Sequence, residues 1–139
     1  MNILVDTSVW SLSLRRRATD LNPTELTIVR ELSELIGEGR VRLIGLIRQE
    51  VLSGIRNAEQ FERLRSYLRA FSDERIESLD HENAAEMSNK CKARGITVSV
   101  VDVLMCSIAA ARDWPIFTTD VDFEYHAKVL AITLHAPWK

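Results

Sequence analysis

Four carboxylates in this chain stand out for where they fall. Asp6 follows the continuously apolar run Ile3-Leu4-Val5, and Asp120 follows Pro115-Ile116-Phe117-Thr118 at one residue's remove. Asp102 interrupts the otherwise largely apolar stretch from Val98 to Ala111. Glu50 lies three residues beyond Ile47 in the helical repeat Ile47, Val51, Ile55, so it borders that repeat's buried side. Taken singly, each aspartate reads as a helix cap and Glu50 as a surface residue. Taken together they need compensation, because burying a bare carboxylate is costly. Two carboxylates about 4 Å apart repel by roughly 4 kcal/mol at an effective dielectric near 20, so a cluster requires a cation or a shifted protonation state. Oxygen-only ligands suit Mg²⁺ or Mn²⁺ and leave coordination positions for water and a phosphate oxygen. That chemistry fits phosphodiester hydrolysis by an activated water, without a serine or cysteine nucleophile and without a covalent intermediate.

The elements that must position these acids follow from hydrophobic periodicity. Ile3 to Val5 reads as a buried strand feeding a helix that contains Val9, Trp10 and Leu12. Pro23-Thr24-Glu25 resembles a helix start, continued by Leu26, Val29, Leu32, Leu35 and Ile36 and stopped by Gly37 and Gly39. Val41 to Ile44 reads as strand, and the helix carrying Glu50 follows, extending to Ile55. Phe61, Leu64, Leu68 and Phe71 mark a further helix with Arg63, Arg65 and Arg69 toward solvent, and Ala84, Met87 and Cys91 another, closed by Gly95. After the Asp102 helix come a strand at Pro115 to Thr118, a short helix from Asp120 to Val129 and a last strand from Ala131 to Leu134. Strands alternating with helices predict an α/β domain of three layers, α/β/α, around a central, mostly parallel sheet. In such sheets ligands gather beyond the carboxyl ends of the strands. Asp6 and Asp120 both belong there.

With 139 residues and 46% hydrophobic content, the chain is expected to form one domain across residues 1–139 around one core. No basic leader with a long apolar segment precedes Asp6, and Val98 to Ala111 is too short to span a bilayer, so neither export nor membrane insertion is expected. Cys91 and Cys106 suit reduced thiols in the cytoplasm better than a disulfide. A net charge of -2 gives no global basic signature, so a polyanion must be held locally. The run Arg15-Arg16-Arg17 is a candidate for phosphate contacts, although such a run also reads as a plain exposed face.

Four segments carry a resemblance that spans nearly the whole chain. They are Val5-Asp6-Thr7-Ser8-Val9-Trp10, Arg48-Gln49-Glu50-Val51-Leu52-Ser53-Gly54, Asp102-Val103-Leu104-Met105-Cys106 and Thr118-Thr119-Asp120-Val121-Asp122-Phe123. In order and separation they resemble the PIN-domain family, in particular the VapC-type ribonuclease toxins of VapBC toxin-antitoxin systems. The resemblance implies Asp6 and Asp102 as principal ligands of Mg²⁺ or Mn²⁺, with Glu50 and Asp120 completing the catalytic pocket and Asp122 assisting through water. It also implies an RNA substrate cut at few sites, a homodimer and a cognate VapB-like antitoxin. Ser8 is a candidate for bonding water or phosphate and Thr118 for orienting Asp120, against the plainer reading that both satisfy nearby backbone. Val101 departs from the small polar residue or proline that related chains often place before the third acid.

Two other function classes are open to the same residues. Phosphoryl transfer on an aspartate also uses acids at strand ends, but Thr7 and Ser8 follow Asp6 where aspartyl phosphatases carry a second aspartate, and no late strand ends in a suitable lysine. A catalytically silent module holding RNA or an antitoxin is the second. A glycine-rich nucleotide loop is missing, and Ala85 stands where a zincin pair begun at His81-Glu82 would need its second histidine.

Overall fold

A computed structural model describes residues 1–136. The apolar run at the start forms β1 (Ile3–Val5), whose residues are all fully buried. The chain then turns directly into α1 (Thr7–Leu14) and, after a 3₁₀ turn at Ala18–Asp20, into α2 (Pro23–Gly37). Asn22 and Glu25 close a reciprocal capping box at the start of α2, with Pro23 in the first turn, where its missing N–H costs nothing.

Strand β2 (Val41–Arg42) and helix α3 (Gly45–Leu52) follow, then α4 (Ala58–Leu68), α5 (Ser78–Ala93), α6 (Val100–Arg112), β3 (Ile116–Phe117) and α7 (Asp122–His126). The three strands are parallel in the order β2-β1-β3, with Leu4 opposite both Arg42 and Ile116. From β1 the chain first moves to one edge through α1 and α2, then back across to the other edge through a path that includes α5 and α6. Parallel connections cross over right-handedly as a rule, so crossovers in opposite directions put those helix pairs on opposite faces, the expected α/β/α layering. The core runs through all three layers: Trp10 and Leu32 from the first crossover, Met105 and Ile108 from the second, and Phe117 from β3 are each at most 1% exposed.

Several boundaries differ from the sequence expectation. The Glu50 helix ends at Leu52, and Ile55 lies beyond it, because the chain turns at Gly54 with φ +86°, a conformation that strains any L side chain. Beyond β2, Leu43 makes only an isolated parallel bridge to Asp73. The short helix after Asp120 begins at Asp122 and stops at His126. The expected last strand reduces to one parallel bridge, Leu134 to Ile116.

Two arginines fasten the connections around α3 and α6. Arg48 on α3 donates to the carbonyls of Leu68 and Phe71 and to Asp73, satisfying backbone groups at the end of α4. Arg112 at the end of α6 donates to both carboxylate oxygens of the buried Asp80 at 2.9 and 3.0 Å, to Glu74 and to the Arg75 carbonyl. The Arg112 guanidinium holds the Asp80 carboxyl below its usual range, against the opposing effect of burial. This clamp ties α5 and α6 together and so fixes the helix whose first turn carries Asp102.

Candidate active site

The first acid is placed by the junction between β1 and α1. Asp6 has extended backbone, caps α1 and is only 6% exposed. Its Oδ2 accepts from Ser8 N at 3.4 Å, Ser8 Oγ at 2.8 Å and Thr118 Oγ1 at 2.8 Å. Each hydroxyl has one proton, and both protons are directed at Asp6. The 3.3 Å approach between Ser8 Oγ and Thr118 Oγ1 is therefore a contact between two donors already committed elsewhere. Both hydroxyl oxygens in turn accept backbone N–H groups, Ser8 from Thr119 at 3.0 Å and Thr118 from Asp120 at 3.0 Å. Two chains, each running from N–H through O–H to carboxylate, thus converge on one oxygen of a buried anion, and such chains polarise cooperatively. Among the described residues Oδ1 receives no donor.

Capping does not exhaust Asp6: one oxygen is used to start the helix and, among the described residues, the other is free. Asp102 is different. Ser99 is the N-cap of α6 and accepts from Asp102 N at 3.1 Å, so Asp102 occupies the third position of the helix and its side chain is not a cap. Partial burial pushes the Asp102 carboxyl up from 3.8 to about 6, with the negative charges of Asp6, Asp120 and Glu50 acting in the same direction against a lowering hydrogen bond from Ser99. Asp6 is the strongest of the three charges.

Glu50 is exposed on α3 and bordered by the core only through its helix; its Oε1 accepts from Thr7 Oγ1 at 2.7 Å, which ties α3 to the first turn of α1. Asp120 follows β3, and its Oδ1 accepts from Asp122 N at 2.9 Å in a tight turn before α7. The parallel order β2-β1-β3 sets the carboxyl ends of β1 and β3 side by side, so Asp6 and Asp120, which follow them, meet at one end of the sheet.

One open cleft of about 530 Å³ is lined by Asp6, Ser8, Glu50, Asp102 and Asp120, together with Thr7, Gln49, Ser53 and Ser99. Thr118 stands behind it, bonded to Asp6. Asp122 lines a neighbouring cavity instead, and its part in this cleft is the backbone brace on Asp120. Arg16 is paired with Glu25 at 3.1 Å and Arg17 with Asp20 at 3.6 Å, and neither lines the cleft. Arg15 has no side-chain ion pair among the described residues. Its Nη2 lies 3.6 Å from where a Cβ on Gly54 would be, beside the residue that follows Ser53 on the cleft wall. Sequence reasoning gave no role to Thr7, Gln49, Ser53 or Ser99. The Ser99-x-x-Asp102 spacing, which is that of a cap and its third position, was the available signal for Ser99.

The donor chemistry fits a hard divalent cation: the ligands are all oxygen, Asp6 keeps a free oxygen, and the charges repel one another at Asp102. Among the described residues no three His, Cys, Asp or Glu side chains close on one point, so the acids form an open basin and not a cage. Such a basin is compatible with Mg²⁺, which usually retains several waters and takes one or two carboxylates.

Among the described residues no helix is long and apolar enough to cross a membrane. Both cysteines are free and buried, and burial pushes the Cys106 thiol up to about 12.

No curated protein matches the chain. Solved structures do. FitAcB from Neisseria gonorrhoeae is 22% identical, with a TM-score of 0.76 and 98% of each chain covered. VapBC2 from Rickettsia felis, bound to a DNA fragment from its promoter, is 13% identical, with a TM-score of 0.74 over the whole of both chains. VapBC-1 from nontypeable Haemophilus influenzae is 14% identical, with a TM-score of 0.68 and 97% of each chain covered. At these identities the likeness is one of fold. The family model described as PIN domain matches residues 3–129, nearly the entire chain, and the protein therefore belongs to the PIN-domain family.

Proposed function

We propose that this chain is an endoribonuclease dependent on Mg²⁺ or Mn²⁺, the toxin half of a type II toxin-antitoxin pair. In this reading it is a single PIN domain that acts in the cytoplasm as a homodimer and is held inactive by a VapB-like antitoxin. The observation that carries the reading is the gathering of Asp6, Glu50, Asp102 and Asp120, from four separate segments, around one cleft. The antitoxin is supported by the VapBC and FitAcB structures that the chain resembles.

Asp6 and Asp102 are the pair suited to hold the cation, since both line the cleft and, of the neighbouring acids, Asp6 acts most strongly on Asp102. When bound, a divalent cation supplies Lewis acidity toward a phosphate oxygen and lowers the pKa of water. The chain supplies the rest. Ser8 and Thr118 lock Asp6 in one orientation, so its free oxygen is presented without a search over rotamers. Glu50, steadied by Thr7, orients water and takes up its proton. Asp120 is braced by Asp122 N on the opposite side.

The alternative is a silent module that holds RNA or an antitoxin without cutting. Purified protein free of antitoxin, incubated with total RNA in Mg²⁺, Mn²⁺ or chelator, separates the two once new ends are sequenced. The nuclease reading expects discrete cuts that need metal and carry no 2′,3′-cyclic phosphate, because water is the nucleophile. Intact RNA under every condition would leave only the silent module.

A further inference from the structure

We propose that the cavity next to the acidic cleft is a subsite for one nucleobase, the base flanking the phosphate to be cut. This rests on the ribonuclease reading above for its place in the reaction, but not for its chemistry. The cavity, of about 350 Å³, is lined by Ile96, Thr97, Asp122, Tyr125 and His126. It lies at the small end of ligand pockets, which begin near ~300 Å³.

Two strands of argument join it to the cleft. Thr97 on its wall is separated from Ser99 on the cleft wall by Val98 alone, and Asp122 on its wall donates its backbone N–H to Asp120 in the cleft. A single-stranded chain whose phosphate lies over the acids has its adjoining base within reach of this cavity. Exposed apolar side chains flank these connections, Val100 directly after Ser99 at 80% and Val121 between Asp120 and Asp122 at 57%, and the fold itself leaves them uncovered.

The lining supplies what a base needs. Tyr125 is 51% exposed, and the Lys128 ammonium stands 5.1 Å from its ring centroid. An exposed ring with a cation beside it offers a stacking face and a phosphate contact in one place, the combination used to hold single-stranded nucleic acid. His126 forms the deep wall. It is 2% exposed, and its Nδ1 has no hydrogen-bond partner among the described residues, so polar capacity is present that the protein does not use. The Asp122 carboxylate accepts hydrogen bonds only, and the Thr97 hydroxyl accepts as well as donates. Such a lining favours bases with an exocyclic amino group, adenine, cytosine and guanine, over uracil. A docking protein segment would call for a longer apolar groove than this small concavity with one ring and several acceptors.

The test needs no cleavage. Wild-type protein held in chelator is titrated with adenosine, cytidine and uridine tetranucleotides while NMR signals of Thr97, Tyr125 and His126 are followed. The subsite predicts shifts at all three residues and the weakest binding for uridine. Tyr125→Ala should bind roughly 5- to 100-fold more weakly, whereas Tyr125→Phe keeps the stacking face and most of the affinity. Oligonucleotide binding that leaves these signals unmoved, or a folded Tyr125→Ala variant with undiminished affinity, would overturn the proposal and leave this face to a protein partner. Shifts without any metal-dependent cleavage would sustain the subsite while removing the nuclease reading, and cleavage without shifts would do the reverse.

Discussion

Thr118 donates its hydroxyl proton to Asp6 Oδ2 at 2.8 Å across 112 positions of sequence, while its oxygen accepts the N–H of Asp120. The end of β3 is thereby locked onto the end of β1, and one acid of the cleft is oriented by the segment that carries another.

Removing that proton should be felt in stability as well as in activity. Thr118→Val leaves a buried carboxylate short of a donor, for which a loss of about 1–3 kcal/mol is expected in metal-free protein. Urea denaturation of Thr118→Val and Ser8→Ala, singly and together, checks this. Coupling between the two positions is expected because they share one acceptor, and strict additivity would show that they do not act as a unit.

Much of this arrangement is readable in the sequence. Ile3-Leu4-Val5 ahead of Asp6 specifies a fully buried strand with an acid at its end, because a strand covered on both faces reads as a continuous apolar run where a half-exposed one alternates. Asp102 announces itself by interrupting apolar surroundings. The helical repeat sets Glu50 beside the buried side of its helix, whereas the structure shows it exposed and positioned through Thr7, a contact that depends on how α1 and α3 pack and has no local signal. The reduction of the expected last strand to a single bridge was not readable, because Ala131 to Leu134 has the composition of a strand but pairs only through Leu134 with Ile116. The separation of Asp122 from the cleft depends on the tight turn at Asp120, which a helix assignment from Asp120 onward conceals.

Asp102 should give metal-free protein a distinctive pH dependence. Its folded carboxyl is raised from 3.8 to about 6, so the fold prefers the neutral form. Below about pH 4 the group is protonated folded and unfolded and costs nothing; between about pH 4 and 6 the cost grows, and above that it is fully present. The interval corresponds to at most about 3 kcal/mol, reduced by partial solvent access to on the order of 1–2 kcal/mol. Asp102→Asn should therefore be more stable than wild type at pH 7 in chelator, by that amount, and lack this part of the pH profile. Divalent metal should stabilise wild type and not the variant. A less stable Asp102→Asn in chelator would contradict the electrostatic picture.

Of the three consecutive arginines, Arg15 is the one whose charge is not already met by a partner among the described residues, whereas Arg16 and Arg17 are engaged with Glu25 and Asp20. Arg15→Ala is expected to weaken binding of single-stranded RNA and to reduce the slope of log affinity against log salt by about 0.7, the value for one phosphate contact. Arg16→Ala and Arg17→Ala should change the slope much less. Equal effects from all three would point to a diffuse basic field instead of one contact.

Cys106 lies fully buried in α6 and its thiol is pushed up to about 12, mainly by burial. Native protein at pH 8 should resist thiol-directed reagents at both Cys91 and Cys106, with labelling appearing only on unfolding. Rapid modification of Cys106 in folded protein would mean that the core around Asp102 opens more readily than its packing indicates.

The most direct test of the central claim compares wild type with Asp6→Asn, purified side by side without antitoxin, on the same RNA with Mn²⁺ and with chelator. Discrete cleavage by wild type that disappears both in chelator and in Asp6→Asn is the predicted result. Equal cleavage by Asp6→Asn would contradict the account, because the acid held by Ser8 and Thr118 would then have no part in the chemistry.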